Sequence, residues 1–339
     1  MRRPASILIA AASAGVAGLC LLSACRPRPK VPGWVRTAPA DSLVGFSGEA
    51  RWVLLHHEVR DLLAREPLAD RALDLFLQKA HINPQAETGR LTIHFVGRPD
   101  AAEPSPEQGL GHVLIQLDQF RDPKALIAAV TASFPQEGQI RLEGRDWPLY
   151  VIFDLDTPQA KAHIRAASDE QGQIWIGDLS ALQRLASQET LAARPDALAA
   201  AEWINPQAPF QGYLQPEALL SGVRKAIPDS SSALRDLPKG LDALFWSVTP
   251  GQGPDAPYRF ELALAGSPEG ISQIAPWLQR LVAVVNAVQP PPGAPAPELM
   301  QERRRVGLRA TLTNTQLKLI MEKLGQSSFL PGAIPSPKA

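Results

Sequence analysis

Along the chain, the first signal in the pattern of apolar and polar positions is a run from Ile7 to Leu22 that is apolar or small and carries no charge. It is somewhat shorter than the roughly 18–20 residues a spanning helix needs, and it follows Met1-Arg2-Arg3. A charged start, an apolar middle and small residues before Cys25 have the layout of a secretory leader. Beyond Ala40 the pattern changes to strands and amphipathic helices. Leu43–Phe46 predicts a short strand. Apolar positions then recur at helical spacing from Ala50 to Ala64 (Trp52, Leu55, Val59, Leu62) and again from Pro67 (Leu68, Ala72, Leu75, Phe76). Leu91–Phe95 alternates as a half-buried strand and His112–Leu117 predicts another. Asp122-Pro123 opens a helix over Lys124–Phe134, and Gln139–Glu143 alternates again.

Tyr150–Phe153 is a continuous apolar run suited to a buried strand. A helix over Pro158–Ala167, a strand over Gln173–Ile176 and a helix over Ser180–Leu191 follow. The pattern then starts afresh. Phe210–Leu214 predicts a strand, Pro216–Ala226 a helix, and Leu241–Val248 and Tyr258–Ala265 two more strands. A long helix runs from Ser267-Pro268-Glu269 to Val288, with Ile271, Ile274, Leu278, Leu281 and Val285 on one face. Gln289–Pro297 is a proline-rich loop, Val306–Leu312 the last strand, and Leu317–Leu324 a helix or strand before Gly325. Residues 41–145 and 207–325 thus share the order β-α-β-β-α-β, that of the ferredoxin-like split βαβ unit. The expected fold is α+β: two such units with antiparallel sheets covered by helices on one face, joined by a βαβα block over 146–206. Residues 326–339 form an expected disordered tail.

Composition narrows the function classes. Hydrophobic residues are 45% of the 339 and charged residues 20%, which describes a globular chain. Arg2 and Arg3 are the only charges before Cys25, so the remainder has 34 − 2 = 32 basic against 34 acidic residues. That balance implies no polyanion-binding surface, and no nucleic-acid partner is expected. The two cysteines are Cys20 and Cys25. If residues 1–24 leave as a leader and Cys25 is modified, the body has no thiol for disulfides, nucleophilic catalysis or thiolate metal sites.

The segment Leu22-Ser23-Ala24-Cys25 resembles the lipobox of bacterial lipoproteins, where Leu, a small residue, Ala or Gly, and Cys stand in that order. The resemblance implies cleavage before Cys25, diacylglycerol on its sulfur and usually acylation of its new α-amine. Two or three acyl chains anchor stably where one binds marginally. The other reading is an uncleaved helix with an incidental cysteine. Arg26 is not the aspartate associated with inner-membrane retention, so the outer membrane is expected. Residues 25–40, rich in proline with arginine and lysine, are expected to form a tether. An extended chain of that composition could hold the body on the order of 40 Å from the bilayer. Its cations then lie on headgroups with Trp34 at the interface, or it is a solvated linker. The element order of the body is also similar to that of bacterial lipoproteins built from repeated split βαβ units.

Candidate chemistry is sparse. Val151-Ile152-Phe153-Asp154-Leu155-Asp156-Thr157 looks like the first motif of haloacid-dehalogenase-type phosphatases, which would make Asp154 a nucleophile and Asp156 an acid/base. Pro158 departs from that pattern, and the Trp175–Asp178 segment follows too soon for the intervening elements. The simpler reading is Asp156 or Thr157 capping a helix. His57 and Asp61 would share a helix face, and His94 and His112 lie on strands able to pair, but two ligands do not make a metal site. His81 and His163 have no suggestive neighbours. No Gly-rich phosphate loop, G-x-S-x-G elbow or H-E-x-x-H helix occurs. No cofactor is expected. The expected function is a lipid-anchored, periplasm-facing envelope lipoprotein with a non-catalytic binding or scaffolding role. Its expected partners are the membrane, through acyl chains on Cys25, and a protein or peptide of the envelope. The alternatives are a carrier of a small apolar or envelope ligand in a sheet–helix cavity, and an envelope hydrolase using Asp154 and Asp156.

Overall fold

Proline starts most of the described helices and alternation makes the strands, and the strands prevail: twelve of them form one sheet. In the computed structural model, the described residues are 31–50, 53, 63, 66–83, 89–97, 112–156, 161–187, 190–217, 239–251, 256–287, 294–313 and 315–316. They belong to the unit Val31–Ala339. The leader, Cys25, most of the expected helices over 50–64 and 216–226, the element at 317–324 and the tail lie outside the described residues.

The strands are β1 Ser42–Glu49, β2 Arg90–Val96, β3 His112–Asp118, β4 Gln136–Leu142, β5 Arg145–Asp156, β6 Lys161–Ser168, β7 Ile174–Asp178, β8 Phe210–Leu214, β9 Leu241–Thr249, β10 Tyr258–Gly266, β11 Glu298–Gln301 and β12 Arg305–Leu312. Their order in the sheet is β11-β12-β10-β9-β8-β1-β2-β3-β7-β6-β5-β4. Every neighbouring pair is antiparallel. The α+β expectation holds at this level. The split βαβ arrangement is replaced, because that unit sets its first strand between its third and fourth. Here β1 pairs with β2 and β8, and β4 lies at the far edge. Strands adjacent in sequence mostly pair with each other, and antiparallel neighbours need only short turns. The turn from β4 to β5 has both central residues in the left-handed region, Glu143 at φ 50° and Gly144 at φ 77°, as a two-residue hairpin of type I′ requires.

The helices are α1 Gly33–Thr37, α2 Pro67–Lys79, α3 Pro123–Ser133, α4 Leu179–Ser187, α5 Pro195–Ala201 and α6 Pro268–Ala287. Pro67, Pro123, Pro195 and Pro268 stand at first turns, where the missing N–H is no loss. Asp122 caps α3 by accepting from the Ala125 N–H at 3.0 Å, and Ser267 caps α6 by accepting from the Gly270 N–H at 3.1 Å. The sequence predicts helices over one sheet face, but the described helices cover both. On one face α2 and α3 place Leu73, Phe76, Leu126 and Val130 against Leu91, Ile93, Ile115 and Ile176. On the same face α6 packs Ile271 and Leu278 on Leu264 and Val306. On the other face α4 packs Leu182 on Trp147 and Trp175, while α1 and α5 pack Trp34, Val35, Ala200 and Ala201 on Tyr213 and Phe245. Leu91–Phe95 is accordingly buried on both faces rather than half-buried.

Two further expectations are corrected. Of the helix expected over Pro158–Ala167, the described part is strand: Lys161–Ser168 is β6, held between β5 and β7. Its sequence, KAHIRAAS, lacks strong strand formers, so pairing on both sides overrides weak local preference. Residues 31–40 are not tether but body. Trp34 is only 2% exposed, its ring stacks on Tyr213 at 5.4 Å, and Ala38 accepts from the Leu191 N–H at 2.9 Å. Tyr213 can lie flat on the sheet because the residue opposite is glycine: a Cβ on Gly45 would sit 2.2 Å from the Tyr213 ring.

Replacing Trp34 with alanine should therefore cost about 3–5 kcal/mol of unfolding free energy, as removing a buried large aromatic does. Urea denaturation of the variant checks this, since an interfacial or linker tryptophan would leave stability nearly unchanged.

Candidate functional site

A row of polar side chains crosses the α1 face in register. Gln116, Thr92, Ser47, Gln211, Ser247, Glu261, Arg309 and Glu298 stand opposite one another on β3, β2, β1, β8, β9, β10, β12 and β11. The first six are buried. Polar groups withdrawn from water must find partners, and most here do. The Ser47 and Thr92 hydroxyls lie 2.8 Å apart, and Arg90 Nε donates to Ser47 Oγ at 2.8 Å. Gln211 Oε1 accepts from Trp34 Nε1 at 2.5 Å, while its Nε2 donates to the carbonyls of Asn205 and Ala208 at 2.9 and 3.1 Å. Glu261 accepts from Ser247 Oγ at 2.8 Å, from Arg309 Nε at 3.0 Å and from the Asn205 N–H, and it pairs with Arg259 at 2.8 Å. Thr37 Oγ1 lies 3.1 Å from Gln116 Oε1. The row thus fastens α1 and the turn at Asn205–Ala208 onto the sheet.

Beside it lie less satisfied groups. His94 is fully buried, stacked on Trp175 at 5.6 Å and tilted towards Tyr213 at 6.2 Å. Gln116 faces its ring, but neither ring nitrogen completes a hydrogen bond of good geometry. Burial lowers its pKa to about 3, with the Gln116 contact opposing weakly, so the imidazole is neutral. Ser42 similarly faces the buried Tyr213 hydroxyl without closing a bond, and burial raises that hydroxyl's pKa. Asp118 stands opposite Arg90 in register. Burial raises its pKa to about 6 against the pull of Arg90, and burial lowers that of Arg90.

The structure separates some sequence candidates and joins others. β2 and β3 do pair, but the register sets His94 opposite Leu114 and His112 opposite Val96. His57 and Asp61 lie outside the described residues. Asp154 and Asp156 sit on β5 in the β5–β6 hairpin, facing His163 and Lys161 in register, rather than at the mouth of a parallel strand as in the dehalogenase motif. Asp154 is 49% exposed and bonded to Arg165 at 2.6 Å and to His163 at 3.0 Å. Arg165, only 3% exposed along its side chain, also holds Glu137 at 2.5 Å. Arg165 first and His163 second keep the Asp154 carboxyl below its usual range. Asp154 is therefore ionised and unsuited to donating a proton. The pairing of His163 with Asp154 was missed because cross-strand register is not visible in single-sequence spacing. The same holds for the polar row.

Among the described residues, no group of three or more His, Cys, Asp or Glu is placed to hold a metal. A groove of about 490 Å³ opens where α2 ends and α3 begins, lined by Ala80, His81, Ile82, Phe120, Arg121 and Ala125 among others. It lies between helix ends, not between sheet and helix. No known protein family, curated protein or solved structure matches the chain.

The two perturbed groups predict opposite pH trends. His94 binds its proton near 6.5 when unfolded and near 3 when folded, so it removes stability as pH falls below about 6.5. Asp118 binds its proton near 6 when folded and near 3.8 when unfolded, so it adds stability as pH falls through 6. Between pH 7.5 and 4.5, His94→Phe should gain about 2–3 kcal/mol relative to the parent protein and Asp118→Asn should lose about 2 kcal/mol. Urea titrations at both pH values measure the two differences.

Proposed function

We propose that this chain is a lipid-anchored lipoprotein of the outer membrane, facing the periplasm, whose body has a non-catalytic binding or scaffolding role. The observation that carries the reading is Leu22-Ser23-Ala24-Cys25 at the end of an uncharged apolar run that follows two arginines. A thiol at that position suits acylation, and the body retains no other cysteine. The described residues include no helix long and apolar enough to cross a membrane, and a lipid on Cys25 would supply the attachment. The buried polar chemistry supports a structural reading of the interior. Gln211, Ser247, Glu261 and Arg165 spend their hydrogen bonds on holding elements together.

The partner is a protein or peptide of the envelope. Strand addition is disfavoured at both sheet edges. β4 carries a bulge between Gln136 and Gly138 with exposed Glu137 and Arg141, and β11 has four residues. Such features discourage edge pairing. Docking therefore falls to side-chain surfaces. The carrier alternative would use the groove beside His81 and Arg121.

Protein recovered from its native envelope should show by intact mass a chain beginning at Cys25 with diacylglycerol and a further acyl group. Cys25→Ser should move it from the membrane to the soluble fraction. A retained leader or an unmodified Cys25 contradicts the reading. Crosslinking of the acylated protein in membranes should recover one reproducible envelope partner.

A further inference from the structure

We propose that the groove where α2 ends and α3 begins binds an apolar α-amino acid in its zwitterionic form. The proposal rests on the non-catalytic binding role above, in its carrier form, and names a ligand class for it. At about 490 Å³ the groove has the size of a small-molecule site. Its make-up also fits, since such sites combine an apolar bed with a few polar groups.

Two turns shape it. At the end of α2 the Ile82 N–H donates to the Leu77 carbonyl at 2.9 Å and the His81 N–H to the Gln78 carbonyl at 3.2 Å. His81 takes the left-handed conformation that closes such a helix end, at φ 53°, and Ile82 turns inwards to 7% exposure. After β3, Gln119 is also left-handed, at φ 57°, ahead of Phe120 and Arg121. Ile82, Phe120 and Leu126 form the bed, and Ala80, Ala125 and Ala129 keep it open because their side chains end at Cβ.

Charge selects the ligand. Among the described residues lining the groove, the acid and base are Asp122 and Arg121, adjacent in the chain and both exposed. Arg121 makes no hydrogen bond or ion pair among the described residues. Asp122 Oδ1 accepts from the Ala125 N–H at 3.0 Å as the α3 cap, which leaves Oδ2 for a ligand. A purely anionic ligand would be repelled by Asp122 and a purely cationic one by Arg121. An α-amino acid carries a carboxylate and an ammonium on one carbon, so it offers one charge to each. Its carboxylate meets the Arg121 fork and its ammonium meets Asp122 Oδ2. The apolar side chain then lies on Phe120 and Leu126, withdrawn from water.

The test titrates full-length protein in lipid vesicles with L-phenylalanine, N-acetyl-L-phenylalanine and L-phenylalaninamide by calorimetry. Phenylalanine should bind at one site per chain, and each blocked form about fivefold more weakly, the scale of one exposed ion pair. Arg121→Gln should weaken phenylalanine but not the amide, which has already lost the carboxylate charge. Asp122→Asn keeps a good helix cap and should weaken phenylalanine but not its N-acetyl form. Ala125→Leu, at an exposed helical position, should fill the groove and abolish binding of all three while leaving the fold intact. Equal affinity for the three compounds overturns recognition of the zwitterion. Binding that survives Ala125→Leu, or no binding of phenylalanine at millimolar concentration, overturns the groove as its site. An envelope protein recovered by crosslinking without any binding of phenylalanine upholds the binding role and overturns this ligand alone.

Discussion

Burying a line of polar side chains inside an antiparallel sheet is the constraint on which this structure depends. A Gln, Ser or Glu withdrawn from water costs free energy until each donor and acceptor is matched. Flat strands alone do not match them, because backbone groups are already engaged in the ladder. Some partners stand on neighbouring strands, as Thr92 for Ser47 and Ser247 and Arg309 for Glu261, and the others come from elements laid across the sheet: Trp34 and Thr37 of α1, and the turn at Asn205–Ala208. The polar row therefore decides which segments cover that face, while the apolar residues around it make the covering stable.

This arrangement explains why the first residues of the body are ordered by the middle of the sheet. The Trp34 indole sits over Tyr213, which lies flat because Gly45 stands opposite. Its N–H meets Gln211, whose own amide is held by two carbonyls. Each partner is placed by another, so a short helix that would be marginal alone is fixed by packing. Val31 and the residues that follow it are thereby part of the cover of that sheet face.

Local features were legible in the sequence and pairings were not. Phe210–Leu214 was readable as a strand because Phe210, Tyr213 and Leu214 stand between Pro209 and Pro216, and α6 because Ile271, Leu278 and Val285 recur at helical spacing. Proline at first turns marked α2 and α3. β6 was not legible, since Ala162, Ala166 and Ala167 favour a helix until β5 and β7 close on both sides. The order β-α-β-β-α-β suits a split βαβ unit and a meander equally, and only strand pairing tells them apart. Trp34 was misread because its neighbours are proline and basic residues, whereas its fate is set by Gln211, 177 residues away. The polar row and the Asp154–His163 pair are products of register, which no single stretch contains.

The direct measurement of this account is amide hydrogen exchange across residues 34–40. The Ala38 N–H donates to the Trp34 carbonyl at 2.9 Å, and Pro39 bridges to Thr190. If the polar row clamps α1 to the sheet, peptides covering this stretch should be protected nearly as well as those covering β8 and β9. Gln211→Leu should remove that protection while leaving β5–β7 unchanged. Full exchange of 34–40 within seconds in the parent protein would contradict the account, because the segment would then be a linker and the sheet would hold its polar row without it.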